Sequence, residues 1–443
     1  MAGGVQHPAR IVPMAFLGAI SIGTALLLLP VSRGGDRGAD FITAAFTSVS
    51  ATCVTGLSPV DPATYWSPFG QAVILLLIQV GGFGIMTLAT LLSLLVAGKL
   101  GLNTRLIVQS ESRVLNLGDV RSVLRRVAVT MAIFELSIAV IVTARFRIAY
   151  DDNLADAVWH GVFHAVSAFN NAGFALYSNN LIGFVDDPWI SLPLCAAVVA
   201  GGLGFPVLAE LHQRFRRPRY WTVHTRLTVY GSLILLAGGI LGFLAFEWAN
   251  AATIGNLSSG GKAIAAVTGG VMPRTAGFNS VDYGQVTPET LLMTDILMFI
   301  GGGSAGTAGG IKVGTFFLLG FVIWSEIRGE PDVNIAHRAI SSPTVRQALT
   351  VALLGVGVVT AGTMVLLMLT DFTVQVVFFE SISAFATVGL TTGITSSMPW
   401  SAELVLMVLM FVGRVGTITV ATGLALQTRH RHYQLPEERP IVG

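Results

Sequence analysis

Four short phrases that end in glycine and a bulky apolar residue recur along the 443-residue sequence. Glycine reaches backbone conformations closed to other residues and carries no Cβ, so the carbonyl oxygens beside it can point towards a common axis. Carbonyl oxygens arranged in this way can replace the hydration shell of a cation. The phrases are Ser50-Ala-Thr-Cys-Val-Thr-Gly56-Leu, Ser167-Ala-Phe-Asn-Asn-Ala-Gly173-Phe, Val271-Met-Pro-Arg-Thr-Ala-Gly277-Phe and Ser383-Ala-Phe-Ala-Thr-Val-Gly389-Leu.

These four glycine phrases predict an ion-selectivity filter made of backbone. Any one of the glycines would also suit a helix C-cap in an ordinary outer loop. Their regular spacing of about 110 residues favours four copies of one unit around a single axis. The filter would consist of Thr55, Gly56, Ala172, Gly173, Ala276, Gly277, Val388 and Gly389. The carbonyls that hold the ion would belong to Val54, Thr55, Asn171, Ala172, Thr275, Ala276, Thr387 and Val388.

The composition places these phrases in a membrane protein. Apolar residues make up 53% of the sequence and charged residues 11%, whereas soluble domains carry roughly 25% charged residues. We expect the first apolar run, which follows Arg10, to be retained as a span, because no small-residue cleavage motif precedes Pro30. Eight runs approach the length of about 20 residues needed to cross a bilayer, near residues 11–30, 69–97, 127–149, 188–209, 227–249, 290–323, 347–370 and 401–427.

Between the two runs of each unit lies a segment too short and too mixed to cross the membrane, at 40–54, 155–172, 257–276 and 373–388. Each segment is compatible with a re-entrant half-helix that ends at its glycine phrase. Irregular backbone at membrane depth is tolerated only inside protein or beside water. The sequence therefore predicts an all-α integral membrane fold. Four M1-pore helix-M2 repeats would lie pseudo-fourfold around one central pore, with eight transmembrane helices plus four re-entrant half-helices.

The expected organisation has four repeats joined by polar connections. Repeat 1 covers 1–98, repeat 2 covers 127–210, repeat 3 covers 227–324 and repeat 4 covers 347–427. The connections are 99–126 and 211–226, both basic, and 325–346, followed by a C-terminal tail at 428–443.

The distribution of charge predicts the orientation. Basic residues are frequent between repeats and sparse between the two runs of one repeat, so the connections and both termini are expected in the cytoplasm. The glycine phrases would then face outward. Acids concentrate in the outward segments, where their sum should attract cations, while most of them taken singly also fit an ordinary solvated face: Asp36, Asp40, Asp61, Asp151, Asp152, Asp156, Asp186, Asp187, Asp282, Asp371 and Glu380.

The second runs depart from equivalence at one position. Arg414 stands where the first three units carry Gly82, Gly202 and Gly302. An arginine at a helix centre costs about 2.5–3.5 kcal/mol on the insertion scale, so it must face water or a partner. We expect Arg414 to project into the pore below the filter, opposite room left by the glycines, as a barrier to cations. The alternatives are a buried acid partner, such as Asp295 or Glu135, and hydration at a helix interface.

The third unit carries a second departure. Its second run is interrupted by ten small residues, 301–310, followed by Ile311 and Lys312. A helix is poorly supported there, since glycine costs roughly 1 kcal/mol relative to alanine. Close helix packing through small residues and a lysine snorkelling to the inner surface are the alternatives to a gating role. The stretch also matches G-x-G-x-x-G, but it lies inside a span without a βαβ unit, which excludes nucleotide binding by this segment.

The succession of span, pore half-helix, glycine filter and span, four times in one chain, resembles the Trk/Ktr/HKT superfamily of potassium transporters over nearly the whole sequence. It looks most like the KtrB-type membrane subunit, which shares eight spans, the phrase Gln79-Val-Gly-Gly-Phe-Gly-Ile-Met and the glycine-rich break. The resemblance implies potassium uptake, and an intramembrane loop that blocks the pore and moves to open it. The gate would consist of Arg414, Gly301, Gly302, Gly303, Ser304, Gly306, Gly309, Gly310 and Lys312.

The resemblance also implies partners and a location. KtrB-type subunits form homodimers on a cytoplasmic KtrA-type regulatory ring with nucleotide-binding domains, in the cytoplasmic (inner) membrane. The docking surface would be the basic loops 99–126 and 210–226, which membrane lipid headgroups would attract equally. No cofactor and no nucleic acid are expected. Sodium is left open as a coupling or activating ion, and glycine in all four filters fits the potassium-selective pattern, whereas family members with serine in the first filter tend towards sodium.

Two other classes of function fit the sequence less well. A membrane enzyme would need convergent catalytic groups, but His160 and His164 lack the glutamate of a zinc motif, and Cys53 and Cys195 are too few for a metal site. A proton-coupled transporter with inverted repeats conflicts with the parallel orientation of the four units.

Overall fold

The computed structural model describes residues 8–35, 38–98, 120–151 and 153–416. Most of the basic connection 99–126, the tail 428–443, Asp36 and Asp152 therefore lie outside the described residues. Fifteen α-helices are numbered here in chain order: α1 Pro8–Leu27, α2 Phe41–Thr52, α3 Pro62–Tyr65, α4 Pro68–Gly98, α5 Val120–Ala149, α6 Leu154–Phe169, α7 Pro188–Leu203, α8 Phe205–Arg214, α9 Val223–Glu247, α10 Ser259–Val271, α11 Pro288–Phe299, α12 Val313–Arg328, α13 Ser342–Leu369, α14 Val374–Phe385 and α15 Trp400–Phe411.

Among the residues that the structure describes, four helices are long and apolar enough to cross a membrane by length and composition. They are α4, α5, α9 and α13, and a fifth is added if the bent pair α7 and α8 is one span. The remaining expected spans contain helices that are shorter or broken. A mainly helical architecture is thus confirmed, with clear apolar spans at four of the eight expected positions.

Four short helices, α2, α6, α10 and α14, fall where the half-helices are expected. Each ends within the first residues of its phrase, before the glycine, and three begin with a side-chain cap that satisfies an unpaired backbone N–H of the first turn. Asp40 accepts from Ile42 N at 3.1 Å, Asn153 Oδ1 accepts from Ala155 N at 3.0 Å, and the Ser258 hydroxyl accepts from Gly261 N at 3.1 Å. The capped ends lie far from the phrases, so the C-terminal ends of the helices approach them.

Three of the second helices are interrupted, each in a different way. The apolar run expected at 188–209 is present but bent, because α7 and α8 meet at an angle of 101°. Gly204 lies at the bend with φ +89°, and Pro206 follows within the first turn of α8. Between α11 and α12 residues 301–310 form a loop, and after α15 the chain continues as a π-helical turn, Val412–Gly416.

A two-stranded hairpin lies between α12 and α13. Strands β1 Asn334–Ile335 and β2 Arg338–Ala339 pair antiparallel, with Asn334 opposite Ala339. Ile335 packs with Leu318 and Ala348, which ties the hairpin to both neighbouring helices. The larger apolar clusters surround the short helices, so the core of the molecule is the packing that fixes the glycine phrases.

Candidate ion pathway

The four glycine phrases adopt the same unusual backbone. Each glycine has a positive φ: Gly56 +97°, Gly173 +71°, Gly277 +70° and Gly389 +96°. The residue two positions earlier is also left-handed, although it has a side chain: Val54 +57°, Asn171 +59°, Thr275 +74° and Thr387 +49°. Such conformations are costly outside glycine and persist where the surroundings enforce them, which happens most often at functional sites.

The phrases lie side by side in a closed ring. A Cβ built on Gly56 would collide with the carbonyl oxygen of Ala172, and one on Gly173 with that of Ala276. A Cβ on Gly277 would meet the carbonyl of Val388, and one on Gly389 that of Thr55. Each glycine therefore faces the residue before the next glycine, in chain order, and the fourth returns to the first. Only glycine permits this approach.

Hydrogen bonds from the short helices hold two of the phrases in a matching way. Gly56 N donates to the Ser50 hydroxyl and Gly389 N to the Ser383 hydroxyl, both at 3.1 Å. The equivalent Ser167 instead donates to Phe174 O at 2.8 Å, and the third phrase has Val271 at this position. The second and third phrases are thus supported differently from the first and fourth.

Glycines on the second helices support the ends of three short helices. A Cβ on Gly81 would collide with Thr52 O, one on Gly201 with Phe169 O, and one on Gly413 with Phe385 O. Each of these carbonyls lies four residues before a phrase glycine. In the third unit a Cβ on Gly301 would instead meet Gly309 O. The loop therefore occupies the contact that a short helix makes in the other units.

The loop 301–310 is closed at its base by backbone pairing. Gly301 N donates to Ile311 O at 2.9 Å, Ile311 N to Phe299 O at 3.0 Å, and Val313 N to Gly302 O at 3.0 Å. Only Ser304 within it is exposed, while the other nine residues are buried. The loop is consequently a compact, well-packed insertion within the protein.

The body of the loop is bonded to the end of α7 and to the second and third phrases. Gly303 N donates to Gly202 O at 2.7 Å and Thr307 N to Gly201 O at 3.1 Å. The Thr307 hydroxyl bonds to the Asn171 side-chain amide at 2.9 Å, and Gly309 N donates to the Thr275 hydroxyl at 3.2 Å. Both side-chain partners are left-handed residues of the phrases, so the loop lies directly beside the ring.

Arg414 is 3% exposed and lies in the π-helical turn. Its Nη1 donates to Thr307 O at 2.5 Å and approaches the Thr387 hydroxyl at 3.4 Å, while Nε and Nη2 have no partner. The alternative of an acid partner is not realised among the described residues, because the hydrogen bonds of Arg414 go to a backbone carbonyl and a hydroxyl and no ion pair includes it. A positive charge thus lies between the loop and the fourth phrase.

Neither of the two acids considered as partners of Arg414 forms an ion pair with it. Glu135 accepts from Gln79 at 3.2 Å and from Asn170 at 3.0 Å. Asp295 is 4% exposed and its Oδ1 has no hydrogen-bond partner. The room expected opposite Arg414 is filled as well. A Cβ on Gly82 would collide with the Asn170 side chain, and Ala308 of the loop lies against both Gly202 and Gly302.

Lys312 lies at the end of the loop, as the N-cap residue that precedes α12. Its Nζ donates to Ala308 O at 2.6 Å and to Gly309 O at 3.4 Å. The lysine therefore folds back onto the loop, which differs from the alternative of snorkelling to the inner surface. The remaining predicted gate residues, Gly306 and Gly310, lie within the loop, and Gly310 has φ +63°.

Two outer acids are structural, which corrects their expected role at the mouth. Asp187 is 4% exposed, pairs with Arg145 Nε at 2.7 Å and accepts from the Tyr150 hydroxyl at 2.8 Å. Glu380 is fully buried and accepts from Thr392 N and the Thr395 hydroxyl, each at 3.1 Å. Neither carboxylate is available to attract cations from solution.

His160 and His164, four residues apart on α6, bond to neighbouring groups of the protein. Within the described residues no cluster of metal-binding side chains occurs. His160 Nδ1 lies 3.1 Å from Asp151 Oδ2. His164 Nδ1 bonds to His160 O at 2.7 Å within the same helix, and its Nε2 accepts from Leu176 N at 3.4 Å. These residues fix the chain that follows the second phrase.

Sequence reasoning assigned no role to Arg274, which lies between the two apolar runs of the third unit. The side chain is 6% exposed and donates to Gly301 O at 2.8 Å and Ser232 O at 3.3 Å. A signal was present, because Arg274 lies inside the third phrase, three residues before Gly277, where the other phrases carry Cys53, Asn170 and Ala386.

Comparisons with known proteins agree with a cation pathway. A family model described as TrkH, cation transport protein, matches residues 4–431. The chain is 36% identical over 436 residues to the Ktr system potassium uptake protein B of Bacillus subtilis, covering 98% of this chain and 97% of the relative. It is 31% identical over 448 residues to the potassium/sodium uptake protein NtpJ of Enterococcus hirae, covering 98% and 97%. The crystal structure of the potassium transporter TrkH from Vibrio parahaemolyticus shares the fold, with a TM-score of 0.75 at 17% identity, covering 94% of this chain and 85% of that one.

Proposed function

This chain belongs to the TrkH family of cation transport proteins, and we propose that it carries potassium into the cell through the ring of the four glycine phrases. It is a multi-pass membrane protein of a transport family rather than an enzyme. Potassium is proposed as the ion because relatives that match nearly the whole chain are potassium uptake proteins by name.

The observation that carries the proposal is the closed ring of contacts between the phrases. Thr55, Ala172, Ala276 and Val388 each bring a carbonyl oxygen against the glycine of a neighbouring phrase. In the proposed pore these oxygens, with those of Val54, Asn171, Thr275 and Thr387, replace the water around potassium. The four M1-pore helix-M2 repeats would then surround one axis, with α2, α6, α10 and α14 as the pore helices.

The proposed gate is the loop 301–310 together with Arg414 and Lys312. The loop lies against the second and third phrases, and the side chains of Arg414 and Lys312 both donate to its carbonyls. Positive charge next to an ion path repels cations. Passage of potassium would therefore require the loop to move and Arg414 to release Thr307.

Rubidium uptake into vesicles tests the function directly. The purified chain is reconstituted in liposomes loaded with potassium chloride, and entry of radioactive rubidium is followed with and without external sodium. Uptake in protein-containing but not empty vesicles, competed by potassium, is expected. Absence of competed uptake at every sodium concentration would contradict the proposal. A stimulation by sodium without sodium entry would identify activation, and entry of both ions in fixed ratio would identify coupling.

The proposed assembly is a homodimer in the cytoplasmic (inner) membrane with both termini inside, on a cytoplasmic KtrA-type ring with nucleotide-binding domains. Support comes from the Ktr names of the relatives and from the exposed basic connection between α8 and α9. Its exposed basic side chains are Arg216, Arg217 and Arg219. Replacing all three by glutamate should abolish nucleotide control of uptake in the reconstituted complex; unchanged control would exclude this surface.

A further inference from the structure

Arg274 connects the third glycine phrase to the start of the loop. Its Nη2 donates to Gly301 O at 2.8 Å, and its Nη1 donates to Ser232 O of α9 at 3.3 Å. Gly301 is also where the base of the loop closes, because its N–H bonds to Ile311 O at 2.9 Å. The guanidinium therefore holds the carbonyl of the residue at which the loop leaves the helical path.

The next residue of the phrase holds the other end of the loop. The Thr275 hydroxyl accepts from Gly309 N at 3.2 Å. A Cβ on Gly301 would collide with Gly309 O, so the two ends lie in contact. Two consecutive residues of one phrase thus bind both ends of the loop, and no other phrase has this arrangement, since the equivalents of Arg274 are Cys53, Asn170 and Ala386.

The charge of Arg274 is directed at backbone. The ion pairs formed by the described residues do not include it, and its Nε has no hydrogen-bond partner. A buried guanidinium that lacks an acid depends on the few carbonyls that it reaches. Movement of Gly301 would remove the shorter of its two hydrogen bonds, so the position of the loop and the position of Arg274 are coupled.

We propose that Arg274 is a positioning residue that holds the loop 301–310 in the closed position and couples movement of the loop to the third glycine phrase. This inference rests on the proposed gating function of the loop. In this arrangement Arg414 holds the middle of the loop from the fourth unit, while Arg274 and Thr275 hold its ends from the third. Release of the ends frees backbone next to Gly277, so opening of the gate alters the third quarter of the ring.

Reactivity of a buried loop residue measures loop release independently of transport. Ala308 is 1% exposed, and Ala308→Cys is treated in vesicles with a membrane-impermeant thiol reagent applied to the cytoplasmic face. Cys53 and Cys195 are buried, and the parent chain gives their background. Adding Arg274→Met should raise the rate of modification by about tenfold, the shift that follows from losing one charge-assisted hydrogen bond. Rubidium uptake should rise with it, and discrimination against sodium should fall.

Lys262→Met is the matched control, because it removes a buried cation from α10, the helix that leads into the third phrase, without touching the loop. Lys262 Nζ donates to Trp248 O at 2.8 Å on the outer side. With Lys262→Met added, the rate of modification of Ala308→Cys should equal the rate measured for Ala308→Cys alone. If Arg274→Met fails to assemble, Arg274→Gln decides, since it is neutral and too short to reach both carbonyls. If Ala308→Cys is modified no faster in either Arg274 variant than in Ala308→Cys alone, the inference is overturned. Absence of uptake in the parent, by contrast, would refute the proposed function while leaving the modification rates measurable.

Discussion

Arg414 Nη1 donates a hydrogen bond to the backbone carbonyl of Thr307, at 2.5 Å. The two residues are more than one hundred positions apart in sequence. Their hydrogen bond joins the π-helical turn after α15, in the fourth repeat, to the loop 301–310 of the third repeat. Since Nε and Nη2 have no partner, this bond and a longer approach to Thr387 are the polar contacts that fix the guanidinium. Arg414 therefore places a positive charge beside the proposed ion path and also holds the loop in position.

Replacing Arg414 with alanine should increase potassium flux. The variant removes the charge and frees Thr307 O, and loss of a charged hydrogen bond changes a population by about tenfold or more. Rubidium uptake in vesicles measures the effect, and Arg414→Lys, which keeps the charge, should remain near the parent. Unchanged flux in Arg414→Ala, with normal assembly, would show that the residue does not control passage.

Serine at a phrase glycine should weaken selectivity for potassium. At Gly277 a Cβ would collide with Val388 O, and at Gly56 with Ala172 O, while both positive φ values strain any side chain. Competition of sodium against rubidium uptake should therefore be stronger in Gly277→Ser and Gly56→Ser than in the parent. Gly357→Ser is the control, because Gly357 is exposed in α13 with nothing within 4 Å of an added Cβ. Equal sodium competition in all four proteins would argue against a filter at the ring.

The phrases and the glycine-rich loop were predictable from the sequence, because positions where two backbone segments approach closely require glycine. Gly56 and Gly389 are separated by most of the chain, yet both need a positive φ and the absence of a Cβ. The bend at Gly204 was missed, since the apolar run continues through it and only the Gly-Phe-Pro sequence marks the break. Apolar composition reports membrane depth but says nothing of the direction of the helix axis.

Side-chain partners were harder to predict than backbone. Asp187 was assigned to the outer surface and Arg274 received no role, although both lie between two apolar runs, and the fold buries both. Which polar group accepts from Arg274 depends on where Gly301 lies in three dimensions, and sequence spacing does not contain that distance. Aligning the phrases residue by residue would have singled out Arg274, because no other phrase carries a charge there.

Glu247 should be important for stability rather than for transport. This fully buried carboxylate at the end of α9 accepts from Thr290 Oγ1 at 2.6 Å, Thr253 Oγ1 at 2.6 Å and Asn250 Nδ2 at 2.7 Å, and also from Thr287. Glu247→Ala leaves these donors unpaired and should cost about 2–4 kcal/mol of unfolding free energy.

The apparent Tm in detergent measures this cost. Glu247→Gln retains one carbonyl acceptor and should lose less than Glu247→Ala. Glu289→Ala removes an exposed acid from the first turn of α11 and should change the free energy of unfolding by no more than about 0.5 kcal/mol. Equal Tm values for Glu247→Ala and Glu289→Ala would rule out a structural role for the network.

Two glycines of α4 separate packing from helix propensity. A Cβ on Gly81 would collide with Thr52 O and crowd Val54, whereas one on Gly84 would meet nothing within 4 Å. Gly81→Ala should therefore displace the end of α2, which carries the first phrase, and lower both rubidium uptake and the apparent Tm. Gly84→Ala, one turn further along the same helix, should be neutral or more stable by about 0.4–1 kcal/mol, since alanine restricts the unfolded chain. If the two variants behave alike, the second helix does not position the first phrase, because helix propensity is the only property that both substitutions change.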